Sequence, residues 1–219
     1  MKKKYSFADQ FYDRLCRDYT LRYRDTGRFS GFKKGTDSYR ITSYKIENIG
    51  YCCVIRLSGM LGKITEAGIF VPLYKDAPLF MFDRVKKTSS DSISINLFDT
   101  GLEKQSYRQF ITLSEEAAKI PDSDYEGGWY NGILLKGSVA KNIKGKEGEG
   151  ADMLESYMDA YIKCITFSES CTVSLKAVKI AEISDGFLNK GGEAAVKITK
   201  VLGADAAVKL FKEILFPER

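Results

Sequence analysis

Histidine is absent from the 219 residues of this chain. Its absence excludes serine–histidine and cysteine–histidine catalysis, and it argues against a zinc enzyme, because imidazole is the usual base of such sites and a common zinc ligand. Any proton transfer must therefore use the side chains of Asp, Glu, Tyr, Lys or Cys.

Cys-x-x-Cys pairs and zinc-ligand spacings are also missing, although the chain has five cysteines, Cys16, Cys52, Cys53, Cys164 and Cys171. With an odd number of cysteines and no apolar signal core after the basic start, buried free thiols are the simpler interpretation, and a disulfide or redox pair is the alternative. We therefore expect a cytoplasmic protein.

The sequence has no apolar run approaching the 18 residues or so of a membrane-spanning helix, so we expect no association with a membrane. The net charge of +5 is small and its basic residues are scattered. This charge argues against nucleic acid as a partner but is compatible with docking an acidic protein.

Short segments rich in β-branched and aromatic residues alternate with turn-type residues in the first half of the chain, which predicts sequential strands. The predicted strands are Tyr39–Glu47, Tyr51–Leu57, Ile64–Pro72, Pro78–Val85 and Ser92–Asp99. Strands that follow one another so closely favour an antiparallel sheet. We also expect Trp129–Val139 to form a last strand, and residues 25–37 and 141–150 to form loops.

Helical periodicity is found at residues 7–19 and over most of the chain after residue 152. The predicted helices are residues 7–19, Leu113–Lys119, Asp152–Ile165, Leu175–Phe187, Glu193–Leu202 and a last helix that starts at Asp205. Strands followed by helices predict an α+β fold in which the helices pack on the sheet.

Two carboxylates lie inside predicted strands, Glu66 in the third and Asp83 after four apolar residues in the fourth. Burying an aspartate in a central strand is costly unless it is paired or protonated. Asp83 therefore either faces solvent, where Lys86 could pair with it, or is held in a pocket for a function. Glu66 could equally be a solvent-facing cross-strand partner of a lysine.

Several motifs between about residue 39 and the end resemble those of the ferredoxin-dependent bilin reductases, in the same order. The C-terminal segment Leu202–Phe216 is similar to the end of that family, and Pro78–Val85 is similar to the segment with its catalytic aspartate. Ser92–Asp99, Ile120–Trp129 and the helix with Met153, Leu154, Tyr157 and Tyr161 continue the resemblance.

The resemblance implies a single domain over residues 1–219, a three-layer α/β/α sandwich with one central antiparallel sheet. A pocket between the sheet and the C-terminal helices would hold a linear tetrapyrrole (bilin). The implied activity is reduction of this bilin by sequential electron and proton transfer, with no bound cofactor and with electrons from reduced ferredoxin, an acidic partner. The alternative is a protein of the same fold that binds a tetrapyrrole or other flat ligand without reducing it, and an unrelated α+β binding domain is a third interpretation.

By the same resemblance, Asp83 would be the catalytic proton donor, and Glu66 would assist it from the position of the family's histidine. The expected substrate contacts are Asp99, Trp129, Asn189, Phe82 and Arg84. Asp99 could instead begin a turn, because Thr100 and Gly101 follow it, and Trp129 could be a core residue. Three features depart from the family: Glu66 replaces its histidine, Lys190 follows Asn189 where the family has an aspartate, and Met81-Phe82 replaces its Phe-Gly.

Overall fold

A central antiparallel sheet organises the computed structural model, which describes residues 6–59, 63–103, 107–124, 128–191 and 193–217. In this part of the chain the sheet has eight strands in the order β1-β3-β4-β5-β6-β7-β8, and β2 also pairs with β3. The strands are β1 (Leu21–Arg24), β2 (Gly31–Lys34), β3 (Asp37–Ile46), β4 (Gly50–Ser58), β5 (Ile64–Val71), β6 (Leu79–Lys86), β7 (Asp91–Phe98) and β8 (Val139–Asn142).

Helices cover both faces of this sheet, which confirms the predicted α/β/α sandwich. They are α1 (Phe7–Asp18), α2 (Arg108–Glu116), α3 (Glu147–Phe167), α4 (Val173–Lys190), α5 (Glu193–Leu202) and α6 (Ala204–Lys209), which continues as a π-helical turn, Leu210–Leu215. Helix α1 begins after Ser6, whose Oγ accepts a hydrogen bond from the Asp9 N–H at 3.2 Å and so caps the helix.

Two hydrophobic cores lie on opposite faces of the sheet because side chains alternate along each strand. On the face covered by α1 and α3, called the α1 face here, Phe80 and Phe82 of β6 join Phe11 and Tyr161. On the other face, called the α4 face, the core includes residues of the sheet, of α4 and of the C-terminal turn. Members of this second core include Ile69, Leu79, Met81, Ile183, Leu210 and Phe211.

The predicted strands of the first half and the C-terminal helices are confirmed to within a few residues, with one clear exception. The segment Trp129–Val139 is not a strand: Trp129–Ile133 forms a 3-10 helix, and β8 begins only at Val139. Gly137 keeps the segment from running into β8 as one strand, because its φ of +100° breaks an extended chain, and a Cβ there would lie 2.6 Å from the Phe110 backbone.

The segments predicted as loops contain regular structure as well. Residues 25–37 include a 3-10 turn and β2, and α3 starts at Glu147, inside the predicted loop 141–150. Strand β1 was not predicted because its four residues, Leu21–Arg24, are too few to display a period. Helix α2 begins at Arg108, five residues before the predicted start.

All five cysteines are free thiols. Cys52 and Cys53 are buried as expected, whereas Cys164 and Cys171 are half-buried and Cys16 is exposed. None of the described helices is long and apolar enough to cross a membrane.

Helix α4 is fixed to the sheet by a lysine, Lys176, that is fully buried. Its Nζ donates hydrogen bonds to the carbonyl oxygens of Ala77 and of Thr100, the latter at 2.7 Å. Burial lowers the pKa of Lys176 to about 8, although the nearby Cys171 and Asp76 oppose this shift.

We expect Lys176 to make stability depend on pH in the alkaline range. The ordinary lysine pKa of 10.5 exceeds the folded value of about 8, so the unfolded chain binds more protons between them and stability rises with pH there. Urea unfolding at pH 7.5 and pH 10 should therefore show the advantage of wild type over Lys176→Met growing with pH. The difference cancels contributions from groups present in both proteins, and an advantage that shrinks with pH would contradict this assignment.

Candidate functional site

Half-buried side chains form a continuous area on the α4 face at one end of the four central strands. We call this area the open face, and its residues are Ile55, Leu57, Thr65, Ala67, Asp83, Val85 and Ser92. They are direct cross-strand neighbours, since Ile55 pairs with Ala67, which pairs with Asp83. Three strand spacings make the open face about 14 Å wide, enough for a flat organic ligand.

Asp83 is the member of the open face with an ionisable side chain. It lies on β6, two residues beyond Met81, where the core under the C-terminal helices ends. Burial raises the pKa of its carboxyl group, while a hydrogen bond from the Ser94 hydroxyl to Oδ2 partly opposes the increase. A carboxyl group of this kind keeps its proton at higher pH than a free aspartate and can donate it to a neighbouring ligand.

Glu66, Phe82 and Arg84 lie on the α1 face, which corrects their expected grouping with Asp83. In the observed register Asp83 pairs with Ala67, and Glu66 pairs with Arg84. A shift of one residue along a strand moves a side chain to the other face of the sheet. Glu66 therefore does not lie beside Asp83, and Ala67 occupies that place.

The three residues on the α1 face are fully engaged with the protein. Phe82 is buried and packs against Phe11, with ring centroids 5.4 Å apart. Arg84 donates from Nε and Nη2 to both carboxylate oxygens of Asp91, at 2.8 Å and 2.7 Å, and its guanidinium lies over the ring of Phe7. This packing and pairing leave Phe82 and Arg84 no route to a ligand on the open face.

Glu66 fixes the start of α1. Its carboxylate accepts hydrogen bonds from the Ser6 hydroxyl at 2.8 Å and from the Phe7 N–H at 3.2 Å, and it forms an ion pair with Arg84 at 3.4 Å. An anion at a helix N-terminus satisfies free N–H groups and interacts favourably with the helix dipole. The contacts of Glu66 therefore account for its burial without a ligand.

The remaining predicted contacts, Asp99, Trp129 and Asn189, come together in a second place. They line a cleft of about 540 Å³ between α4 and the 3-10 helix Trp129–Ile133, called the α4 cleft here. Its other lining residues are Ile133, Lys179, Glu182, Ile183, Asp185, Gly186 and Lys190. The structure thus brings these three residues together, but Asp83 is not among the residues lining the same cleft.

Trp129 forms one wall of the α4 cleft by packing directly on α4. A Cβ at Gly186 would lie 2.0 Å from its ring, so glycine makes room for the indole there. The indole N–H donates to the carbonyl oxygen of Gly191 at 3.0 Å, and Lys190 Nζ lies 5.5 Å from the ring centroid. Trp129 is therefore both a packing residue and a cleft wall.

Sequence reasoning missed Ala67 and Ser94, the cross-strand partners of Asp83, and Asn96, which hydrogen-bonds to Ser94. Ser94 is the cross-strand partner of Asp83, and Asn96 Nδ2 donates to Ser94 Oγ at 3.3 Å. Ser92, Ser94 and Asn96 alternate with Ile93, Ile95 and Leu97, so the sequence does carry a signal of one polar face on β7. Linking that face to Asp83 requires the register between β6 and β7.

The described residues contain no cluster of three or more Cys, Asp or Glu side chains placed to hold a metal ion. The chemistry that the open face itself offers is hydrogen bonding and proton transfer by a carboxyl group with a raised pKa, beside a flat, partly apolar surface.

The architecture defines an α/β/α sandwich with one antiparallel sheet and an open face beside the C-terminal helices. Among solved structures, it is similar to the selenomethionine form of phytochromobilin synthase from tomato in complex with biliverdin, with a TM-score of 0.73 and 14% sequence identity. The match covers 97% of this chain and 83% of the tomato chain, and at this identity it establishes the fold alone. No protein-family model and no curated protein sequence matches the chain.

Proposed function

We propose that this protein binds a linear tetrapyrrole on the open face and reduces it, with electrons supplied one at a time by reduced ferredoxin. The observation that carries the proposal is a partly buried Asp83 with a raised pKa, in a fold similar to that of a protein whose structure contains biliverdin. The order of sequence motifs from residue 39 onward supports the same class of ligand.

Reduction of one bilin double bond consumes two electrons and two protons. Ferredoxin supplies the electrons one at a time. Protonated Asp83 donates the first proton after the first electron, solvent reprotonates the carboxylate, and Asp83 donates the second proton after the second electron. The apolar members of the open face, among them Ile55, Leu57 and Val85, provide a flat surface for the conjugated rings. In this proposal Glu66 stabilises α1 and takes no part in proton transfer.

A second candidate function is binding of a tetrapyrrole or other flat ligand without reduction. The cross-strand partner of Asp83 on β5 is Ala67, so the open face offers one ionisable group where the resemblance led us to expect two. A two-electron reduction needs two protons, so a single carboxyl group must be reprotonated between the two proton transfers. Slow reprotonation of Asp83 would therefore favour a carrier or sensor over an enzyme.

Titration with biliverdin, followed by absorbance and then by addition of reduced ferredoxin without oxygen, separates the two functions. The enzyme is expected to give a saturable, red-shifted complex that converts to a new spectrum on reduction. A stable complex without conversion would favour the carrier or sensor, and no binding at all would exclude biliverdin as the ligand of either function.

Two substitutions locate the ligand. Ala67→Phe places a phenyl ring on the open face beside Asp83, and we expect it to weaken biliverdin binding at least tenfold, a loss of about 1.4 kcal/mol. Asn189→Ala alters the α4 cleft and is the matched control, with binding close to wild type. The opposite result, in which Asn189→Ala weakens binding and Ala67→Phe does not, would place the ligand in the α4 cleft.

A further inference from the structure

Asp83, Ser94 and Asn96 form a hydrogen-bond chain on the α4 face of β6 and β7. Asn96 Nδ2 donates to Ser94 Oγ at 3.3 Å, and the Ser94 hydroxyl donates to Asp83 Oδ2. Ser94 and Asn96 are buried, whereas Asp83 is half-buried at the edge of the open face. This hydrogen-bond chain therefore runs from the core toward the open face, where a ligand would lie.

The chemistry of the three groups fixes the direction of the chain. An amide NH2 group can only donate, and a carboxylate can only accept. Ser94 has one hydroxyl hydrogen and accepts from Asn96, so this hydrogen is directed to Asp83. Among the described residues, Ser94 is the only hydrogen-bond donor to Asp83, so Oδ1 and Oδ2 are not equivalent.

We propose that Ser94 and Asn96 are positioning residues for Asp83, which occupy its Oδ2 and leave Oδ1 as the oxygen that carries the exchangeable proton. A proton on Oδ2 would make Ser94 the acceptor, and its hydroxyl hydrogen would then find a partner only if the Asn96 amide turned over to present Oδ1. The buried hydroxyl makes that arrangement costly. The transfer of this proton to a bilin rests on the proposed function, whereas the positioning of Asp83 does not.

No charged group on the neighbouring strands complicates this assignment. The strands that pack against β6 are β5 and β7, which present Thr65, Ala67, Ser92 and Ser94 to the α4 face around Asp83. The charged residues of those strands, Glu66 and Asp91, point to the α1 face and pair with Arg84. Two effects accordingly set the pKa of Asp83: burial raises it, and the hydrogen bond from Ser94 lowers it by less.

The test is a pH titration of the Asp83 carboxyl carbon by NMR, with ¹³C-labelled aspartate in the protein without bilin and Asp83→Asn to assign the signal. Ser94→Ala should move the titration midpoint to higher pH, because it removes the hydrogen bond that favours the carboxylate. Asn96→Leu, which frees the Ser94 hydroxyl to turn away, should move the midpoint in the same direction by less. Ser92→Ala is the matched control, since its hydroxyl lies on the same strand and face but bonds to the Val85 carbonyl oxygen.

A midpoint that is unchanged or lower in Ser94→Ala overturns the positioning role, and so does a Ser92→Ala shift of equal size. If Ser94→Ala does not fold, Asn96→Leu alone tests the proposal, because an unchanged midpoint in that variant also overturns the positioning role. The same proteins are then titrated with biliverdin. If the Asp83 midpoint rises in Ser94→Ala but biliverdin does not bind, the positioning role is supported and the proposed function is overturned. If biliverdin binds but the midpoint is unchanged, the positioning role is overturned and the proposed function stands.

Discussion

Arg84→Met is expected to lower the free energy of unfolding by about 3–5 kcal/mol, the usual cost of leaving buried carboxylates without their cation. Arg84 is almost completely buried and contacts both Asp91 and Glu66. Burial alone would lower its pKa, but the hydrogen bonds and charges of Asp91 and Glu66 outweigh burial and raise it. Removing the guanidinium would leave Glu66 without a cation and Asp91 with only the partly exposed Lys86, 3.3 Å away, and it would loosen the start of α1.

Urea unfolding of wild type and variants measures this effect, with Arg22→Met as the matched control. Arg22 forms an ion pair with Glu47 at 2.8 Å, but both side chains are more than half exposed, so its loss should cost less than about 1 kcal/mol. Equal losses of unfolding free energy in the two variants would mean that burial does not increase the contribution of the Arg84 ion pairs to stability.

A triple variant identifies the physical cause of the loss. Glu66→Gln and Asp91→Asn, added to Arg84→Met, remove the uncompensated charges while they keep the volume of the side chains. If unpaired charge is the cause, the triple variant should be more stable than Arg84→Met alone. If lost packing of the guanidinium on Phe7 is the cause, the triple variant should be no better.

The sheet and the C-terminal helices could be predicted because their signals are local. Strands β5, β6 and β7 are rich in β-branched and aromatic residues, and α3 repeats its apolar residues with the period of a helix. Trp129–Val139 has a strand-like composition, yet the close approach of Gly137 to the Phe110 backbone breaks it. That approach depends on the position of α2, which no local pattern contains.

The candidate site was predicted less well because sites depend on register. Asp83 was singled out because burying an aspartate inside an apolar strand costs free energy, and the sequence alone shows this. Its neighbours depend on which residue of β5 and β7 stands opposite it, and a change of one residue replaces Glu66 with Ala67. Asp99, Trp129 and Asn189 line one cleft, but Asp83 is not among its lining residues, and their role as ligand contacts stays a prediction.

Asp83→Asn is the substitution with the largest expected effect on activity. Asparagine keeps the size and a hydrogen-bond acceptor for Ser94, so biliverdin should bind with nearly unchanged affinity. It cannot donate a carboxyl proton, so turnover with reduced ferredoxin should fall by about 100- to 10,000-fold, the usual contribution of a general acid. Thr112→Ala, on the surface of α2, is the control for handling and folding.

The pH dependence of turnover distinguishes loss of a proton donor from a general disturbance of the site. In wild type, the rate should fall as pH rises through the pKa of Asp83, because only the protonated carboxyl group can donate, and burial moves that fall to higher pH than for a free aspartate. The residual rate of Asp83→Asn should lack this fall. Full turnover in Asp83→Asn would remove Asp83 from the mechanism, and retained binding without turnover in wild type as well would leave the carrier or sensor as the function of the open face.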